Sequence, residues 1–160
     1  MTFLTNNKER IPEEALLHLD QQLCFALYST SLAMTKVYKP LLDQLGLTYP
    51  QYLVMLILWQ NDALELQQIG EQLQIASGAL TPVLKRMEKM GLLQRSRNPQ
   101  NERALEIRLT QSGWAMRATA AEKVQVNRHI SLKSGMADTE IQALKQELVQ
   151  LRQHPDRSGA

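Results

Sequence analysis

Cys24 is the only cysteine of the chain. A thiolate is the protein nucleophile toward a peroxide, and the sulfenic acid it forms condenses with a further thiol. With no second cysteine, an internal disulfide is excluded, so Cys24 is either a small buried hydrophobe or a thiol kept for its reactivity. Tyr28 stands four residues beyond it, on the same face if the segment is helical, and a phenol hydroxyl that donates to a thiolate stabilises the anion. His18, His129 and His154 show no metal-ligand spacing with Cys24, so no metal site is expected.

A second chemistry lies in the cations. Between Ser77 and Met90 the residues left outside the apolar stripe include Gly78, Ala79, Thr81, Pro82, Lys85, Arg86 and Lys89, short-chained at the start and basic further on. Such a helix can bring its N-terminus into the major groove of DNA, where small residues approach base edges and Lys or Arg reach phosphates or guanine. Taken alone, a basic face is more often a solvated one. Arg95, Arg97, Arg103 and Arg108 follow on one hairpin, and they shift the balance. Arg103, near the hairpin tip, suits the minor groove, where narrow A·T tracts concentrate negative potential.

These residues need particular elements to hold them. From about Glu13 to Leu45, Leu16, Leu19, Leu23 and Leu27, then Met34, Val37, Leu41 and Leu45, recur at steps of three and four and predict one long amphipathic helix, bent near Lys39 by Pro40. Thr48 to Gln51 has the pattern of a capping box, opening an apolar helix that runs through Trp59. Leu66, Ile69 and Leu73 mark a short helix. Gln74-Ile75-Ala76 is a tight connection, and Ser77 is placed to cap a further helix with Leu80, Val83, Leu84 and Met87 inside and Gly91 as its stop. The period then falls to two along Leu93, Arg95 and Arg97 and again along Leu105, Ile107 and Leu109, which predicts two strands joined by a loop over Asn98 to Glu102. Beyond Thr110 the helical period returns, with Ile141, Leu144, Leu148 and Leu151 as its last stripe, and the polar tail from His154 to Ala160 reads as disordered.

The fold class is therefore mainly α with a small β-wing, a winged helix-turn-helix. At 160 residues one domain spanning 1–160 is expected, with helices over about 13–46 and 111–153 forming a dimerisation part and about 47–110 the DNA-reading part. The long first helix and the last stripe call for a partner surface, so a homodimer is expected, the alternative being a bundle within one chain. A net charge of +2 does not announce nucleic acid by itself, so the argument rests on where the cations sit. No apolar run approaches the roughly 18 residues that span a bilayer, and Met1 to Pro12 lacks a signal-peptide core, which points to the cytoplasm and away from a membrane.

The string Asn98-Pro99-Gln100-Asn101-Glu102-Arg103, followed by Leu109-Thr110 and Gly113, resembles the wing of the MarR family of regulators. Asn98 and Asn101 stand where that family usually carries acidic residues. More specific are the runs Leu19 to Ser29, Tyr38 to Leu42 and Leu47 to Tyr52, which are similar to the organic hydroperoxide resistance regulators (OhrR) of that family, over about Leu19 to Gly113. The resemblance implies that Cys24 is a peroxide-sensing thiol, that Tyr38 and Tyr49 hydrogen-bond to it, and that the protein is a repressor released from a double-stranded, pseudo-palindromic operator on oxidation. No resolving cysteine is present, which resembles the one-cysteine branch, where a small external thiol traps the sulfenic acid. Cys24 and Tyr38 are fourteen positions apart, about 21 Å along one straight helix, so their contact requires a fold-back at Pro40 or tyrosines supplied by a second subunit. No cofactor is implied. A thiol peroxidase would need a resolving partner and has no use for a wing, so an enzyme is not expected; a regulator released by a small aromatic ligand, with Cys24 structural, is the alternative.

Overall fold

The computed structural model describes residues 12–123 and 125–153, so the expectation for the tail from His154 lies outside the described residues. The chain divides into two compact units, Met1–Lys36 and Val37–Ala160.

In the first unit the expected helix does not start at Glu13. Two 3-10 turns, Glu13–Leu17 and Leu19–Gln21, precede the helix α1 (Leu23–Asp43), separated by His18 and Gln22 in extended conformations. The apolar spacing is present, but Leu16, Leu19 and Leu23 are 50%, 61% and 59% exposed. Helical stability comes mostly from packing of an apolar face, and among the described residues that face is exposed. α1 runs through Pro40 to Asp43.

The second unit is built around α2 (Tyr49–Gln60). α1 stops in a Schellman turn: Gly46 takes φ +67°, its N–H donates to the Asp43 carbonyl, and Leu47 N–H to that of Leu42. The Thr48/Gln51 capping box then forms as expected, with Thr48 N–H donating to Gln51 Oε1 at 2.9 Å. α2 is buried on nearly every side through Val54, Met55, Ile57, Leu58 and Trp59, and Trp59 Nε1 donates to the Gly113 carbonyl at 3.0 Å.

β1 (Leu64–Glu65), α3 (Leu66–Leu73), α4 (Ser77–Lys89), β2 (Leu93–Asn98) and β3 (Asn101–Leu109) follow. Gln74 in the left-handed region closes α3, and the chain turns so tightly that a Cβ on Gly70 would lie 2.9 Å from the Ile75 carbonyl oxygen. Ser77 does not cap α4. Ala76 holds that position without a side-chain bond, because the turn after Gln74 places Ser77 already inside the helix. The sheet is antiparallel in the order β1-β3-β2, pairing Leu64 and Arg95 with Ile107 and Leu93 with Leu109. β1 carries no alternation of its own and is defined only by that pairing. The wing loop is shorter than expected: Asn98 pairs with Asn101, leaving Pro99 and Gln100 as the turn.

Three helices complete the chain, α5 (Gln111–Lys123), α6 (Val126–Ser134) and α7 (Asp138–Gln153). α5 enters the core where a Cβ on Gly113 would meet the Leu92 carbonyl oxygen at 2.2 Å, so only glycine fits. Leu144, Leu148 and Leu151 of α7 are 44%, 40% and 46% exposed. No helix among the described residues is long and apolar enough to cross a membrane.

Candidate functional site

α4 is fixed to the core by Leu80, Leu84 and Met87, each 1% exposed or less. That fixes which way its other face looks. Ser77, Gly78, Pro82, Lys85, Arg86 and Lys89 are exposed, and Thr81 is half-buried, its hydroxyl donating to the Ser77 carbonyl at 2.8 Å. A Cβ on Gly78 would meet nothing within 4 Å, so the start of the helix is open to an approaching surface. Small residues lead and cations follow, which is the arrangement for entry of a helix N-terminus into a groove with phosphates alongside.

The wing arginines separate into different roles. Arg95 is spent inside the molecule: its Nε and Nη2 donate to Glu88 Oε2 at 2.9 and 2.7 Å, and its backbone N–H donates to Glu88 Oε1 at 2.9 Å. These bonds lock β2 onto α4. The same bonds hold the Glu88 carboxyl below the usual carboxylate range. Arg97 Nη1 donates to the Glu102 carbonyl at 3.1 Å, across the hairpin. Arg103 is exposed, and no hydrogen bond or ion pair among the described residues engages its guanidinium. Arg108 pairs on the surface with Glu106 at 2.9 Å.

Two contacts that sequence reasoning missed set the wing against the helices. Asn98 Nδ2 donates to Glu65 Oε1 at 3.1 Å, and the backbone N–H of Leu109 donates to Asp62 Oδ1 at 2.8 Å. Neither has a signal in the sequence, because the partners are far apart along the chain.

In the first unit, Cys24 is a free, exposed thiol in the opening turn of α1, and Tyr28, one turn on, is 64% exposed. In the second unit, Tyr38 and Tyr49 are brought together with ring centroids 4.9 Å apart, and Tyr52 joins them at 6.4 Å from Tyr38. Tyr52 was not among the expected site residues. Its position one helical turn from Tyr49 was the available signal. Burial, with Tyr49 and Tyr52 adding to it, pushes the Tyr38 phenol up to about 12, and burial raises Tyr49 and Tyr52 as well. All three therefore keep their protons at neutral pH and are hydrogen-bond donors. No cluster of side chains among the described residues could hold a metal ion.

A basic helix of a helix-turn-helix followed by a wing with an exposed arginine defines a winged-helix DNA-binding protein. Residues 47–105 match the MarR family. The chain is 47% identical over 119 residues to the organic hydroperoxide resistance transcriptional regulator of Bacillus subtilis (strain 168), covering 74% of this chain and 81% of that one. Among solved structures, reduced AbfR bound to DNA is similar at a TM-score of 0.72 and 34% identity, over 88% of this chain and 96% of that one. The disulfide form of AbfR, a Staphylococcus epidermidis protein, is similar at 0.62 and 32%, over 88% and 96%. The chain belongs to the MarR family, and it is a transcriptional regulator rather than an enzyme.

Proposed function

We propose that this chain represses transcription as a homodimer on a pseudo-palindromic, double-stranded operator in the cytoplasm, and releases it when an organic hydroperoxide oxidises Cys24. The observation that carries the reading is the 47% identity to the Bacillus subtilis organic hydroperoxide regulator, in a chain whose only cysteine is Cys24. The Cys24 thiolate attacks the terminal oxygen of the hydroperoxide. The O–O bond breaks, the sulfur becomes a sulfenic acid, and the alkoxide leaves as the alcohol after taking a proton. A small external thiol then condenses with the sulfenic acid, forming a mixed disulfide and water. Tyr28, Tyr38 and Tyr49 support the thiolate as donors, and a bulky adduct would displace them and overpack the site.

Ser77, Gly78, Thr81, Pro82, Lys85 and Arg86 read the major groove and its flanking phosphates, with Arg95, Arg97 and Arg103 on the wing. The whole chain acts as one MarR-type domain, its helices over about 13–46 and 111–153 pairing two copies and about 47–110 reading DNA. The exposed leucines of α1 and α7 support that pairing, because apolar side chains left bare on a helix face favour association. Two reading units would then lie about 34 Å apart, one turn of the duplex.

A second reading has its own observation. An open cleft of about 240 Å³ between α2 and α5 is lined by Tyr52, Leu56, Trp59 and Arg117, apolar walls with one cation, which suits a small aromatic acid. Gel-shift binding to the protein's own upstream DNA separates the two. With cumene hydroperoxide and a small thiol, wild type should release the DNA while Cys24→Ser holds it. If Cys24→Ser is released equally well, the switch does not lie at Cys24.

A further inference from the structure

Asn98 ends β2 at the point where its register with β3 shifts. Its side chain is used in both directions: Oδ1 accepts the backbone N–H of Gln100 at 2.9 Å, and Nδ2 donates to Glu65 Oε1 at 3.1 Å. Glu65 is itself fixed, as the last residue of β1 and the N-cap of α3, where its backbone N–H donates to Gln68 Oε1 at 2.9 Å. One amide therefore ties the tip of the wing to the first turn of the helix-turn-helix. Arg103 stands beside this tie, lining with Glu65, Leu66 and Asn101 the open cleft between the wing and the start of α3, and its backbone N–H donates to Asn101 Oδ1 at 3.2 Å. Its guanidinium is exposed and unengaged among the described residues. A long side chain on an untethered hairpin would have to be ordered at each binding event, whereas a tethered one is aimed beforehand.

We propose that Asn98 and Glu65 are positioning residues that aim Arg103 into the minor groove; this rests on the DNA-reading role given to Arg103 above. The chemistry requires an amide at position 98. It must donate to a carboxylate and accept from a backbone N–H at once, which an acid, an alcohol of shorter reach or an apolar side chain does not do there. An aspartate would set two carboxylates at contact distance with no proton between them.

The test is a salt series of operator affinities for the reduced full-length protein, comparing wild type, Arg103→Ala, Asn98→Ala and the double variant. Arg103→Ala and Asn98→Ala should each weaken binding about tenfold, and the double should be no weaker than Arg103→Ala alone. The slope of log affinity against log salt should fall by about one for both single variants. Asn98→Ala removes no charge, so a loss of fold would lower affinity without moving that slope. Asn98→Asp should lose binding as Asn98→Ala does, and adding Glu65→Gln should restore it by reversing donor and acceptor. That pair carries the test if Asn98→Ala fails to fold. Wild-type affinity in Asn98→Ala or Asn98→Asp, or losses that add to that of Arg103→Ala, overturn the proposal. Wild-type affinity in Arg103→Ala removes the minor-groove role of Arg103 itself, and the proposal with it.

Discussion

The two units of this chain are opposites in how they are held. In Val37–Ala160, the helix that faces DNA is seated on side chains of 1% exposure or less, a glycine fits against a backbone carbonyl, and side-chain bonds tie the wing to α4 and to the start of α3. In Met1–Lys36, no described residue is buried, and Leu23, Phe25, Leu27, Tyr28 and Leu32 of α1 are 37% to 64% exposed. Order reaches the two functions from different sources. The reading head is preformed by one chain, while the described part of the segment carrying the thiol leaves its apolar side chains exposed.

This contrast can be broken by substitution. Leu84→Ala, at 0% exposure in α4, should destabilise the fold by about 4 kcal/mol, measured by chemical denaturation. Leu27→Ala, at 37% exposure in α1, should cost under about 0.5 kcal/mol at dilutions where the chain is monomeric. At concentrations where it pairs, the Leu27→Ala loss should grow, since a partner that binds only the folded chain adds stability by mass action. Equal losses at every concentration would erase the distinction between the units.

Next in size is Gly113→Ala. Its Cβ would sit 2.2 Å from the Leu92 carbonyl oxygen, so the α5 entry must shift, at about 3 kcal/mol by the same measurement. Trp59→Phe should lose about 2 kcal/mol, from the bond to the Gly113 carbonyl and some buried area. A drop in thermal midpoint with both variants, and none with Leu16→Ala at 50% exposure, would sharpen the comparison.

The smallest effect concerns the tyrosines. Burial raises Tyr38 from 10.0 to about 12, so the fold favours its protonated form. The stability this contributes is complete below pH 10 and is lost as pH climbs from there toward about 12. Tyr38→Phe should flatten that alkaline decline, and a phenolate absorbance titration should show one late-ionising group fewer. An unchanged titration would mean that Tyr38 is not the late group.

Much of the second unit was legible because its signals are local. Thr48 and Gln51 carry their capping geometry in adjacent turns, Gly46 marks a helix end, and the change of period from Met87 to Leu93 marks the passage from helix to wing. The first unit misled for the same reason: Leu16, Leu19 and Leu23 have helical spacing, but spacing creates a helix only where something covers the stripe.

Local periodicity and composition alone fix the order of α1 to α4 and the two wing strands, the face of α4 left outside the core, and the presence of a single thiol. What only the tertiary structure decided was which polar groups meet. β1 exists because Leu64 finds Ile107, and Asn98 is a brace because the chain returns it to Glu65. A hydrogen bond needs both partners within about 3 Å, and for residues thirty or more positions apart that distance is set by packing of the whole domain rather than by local spacing.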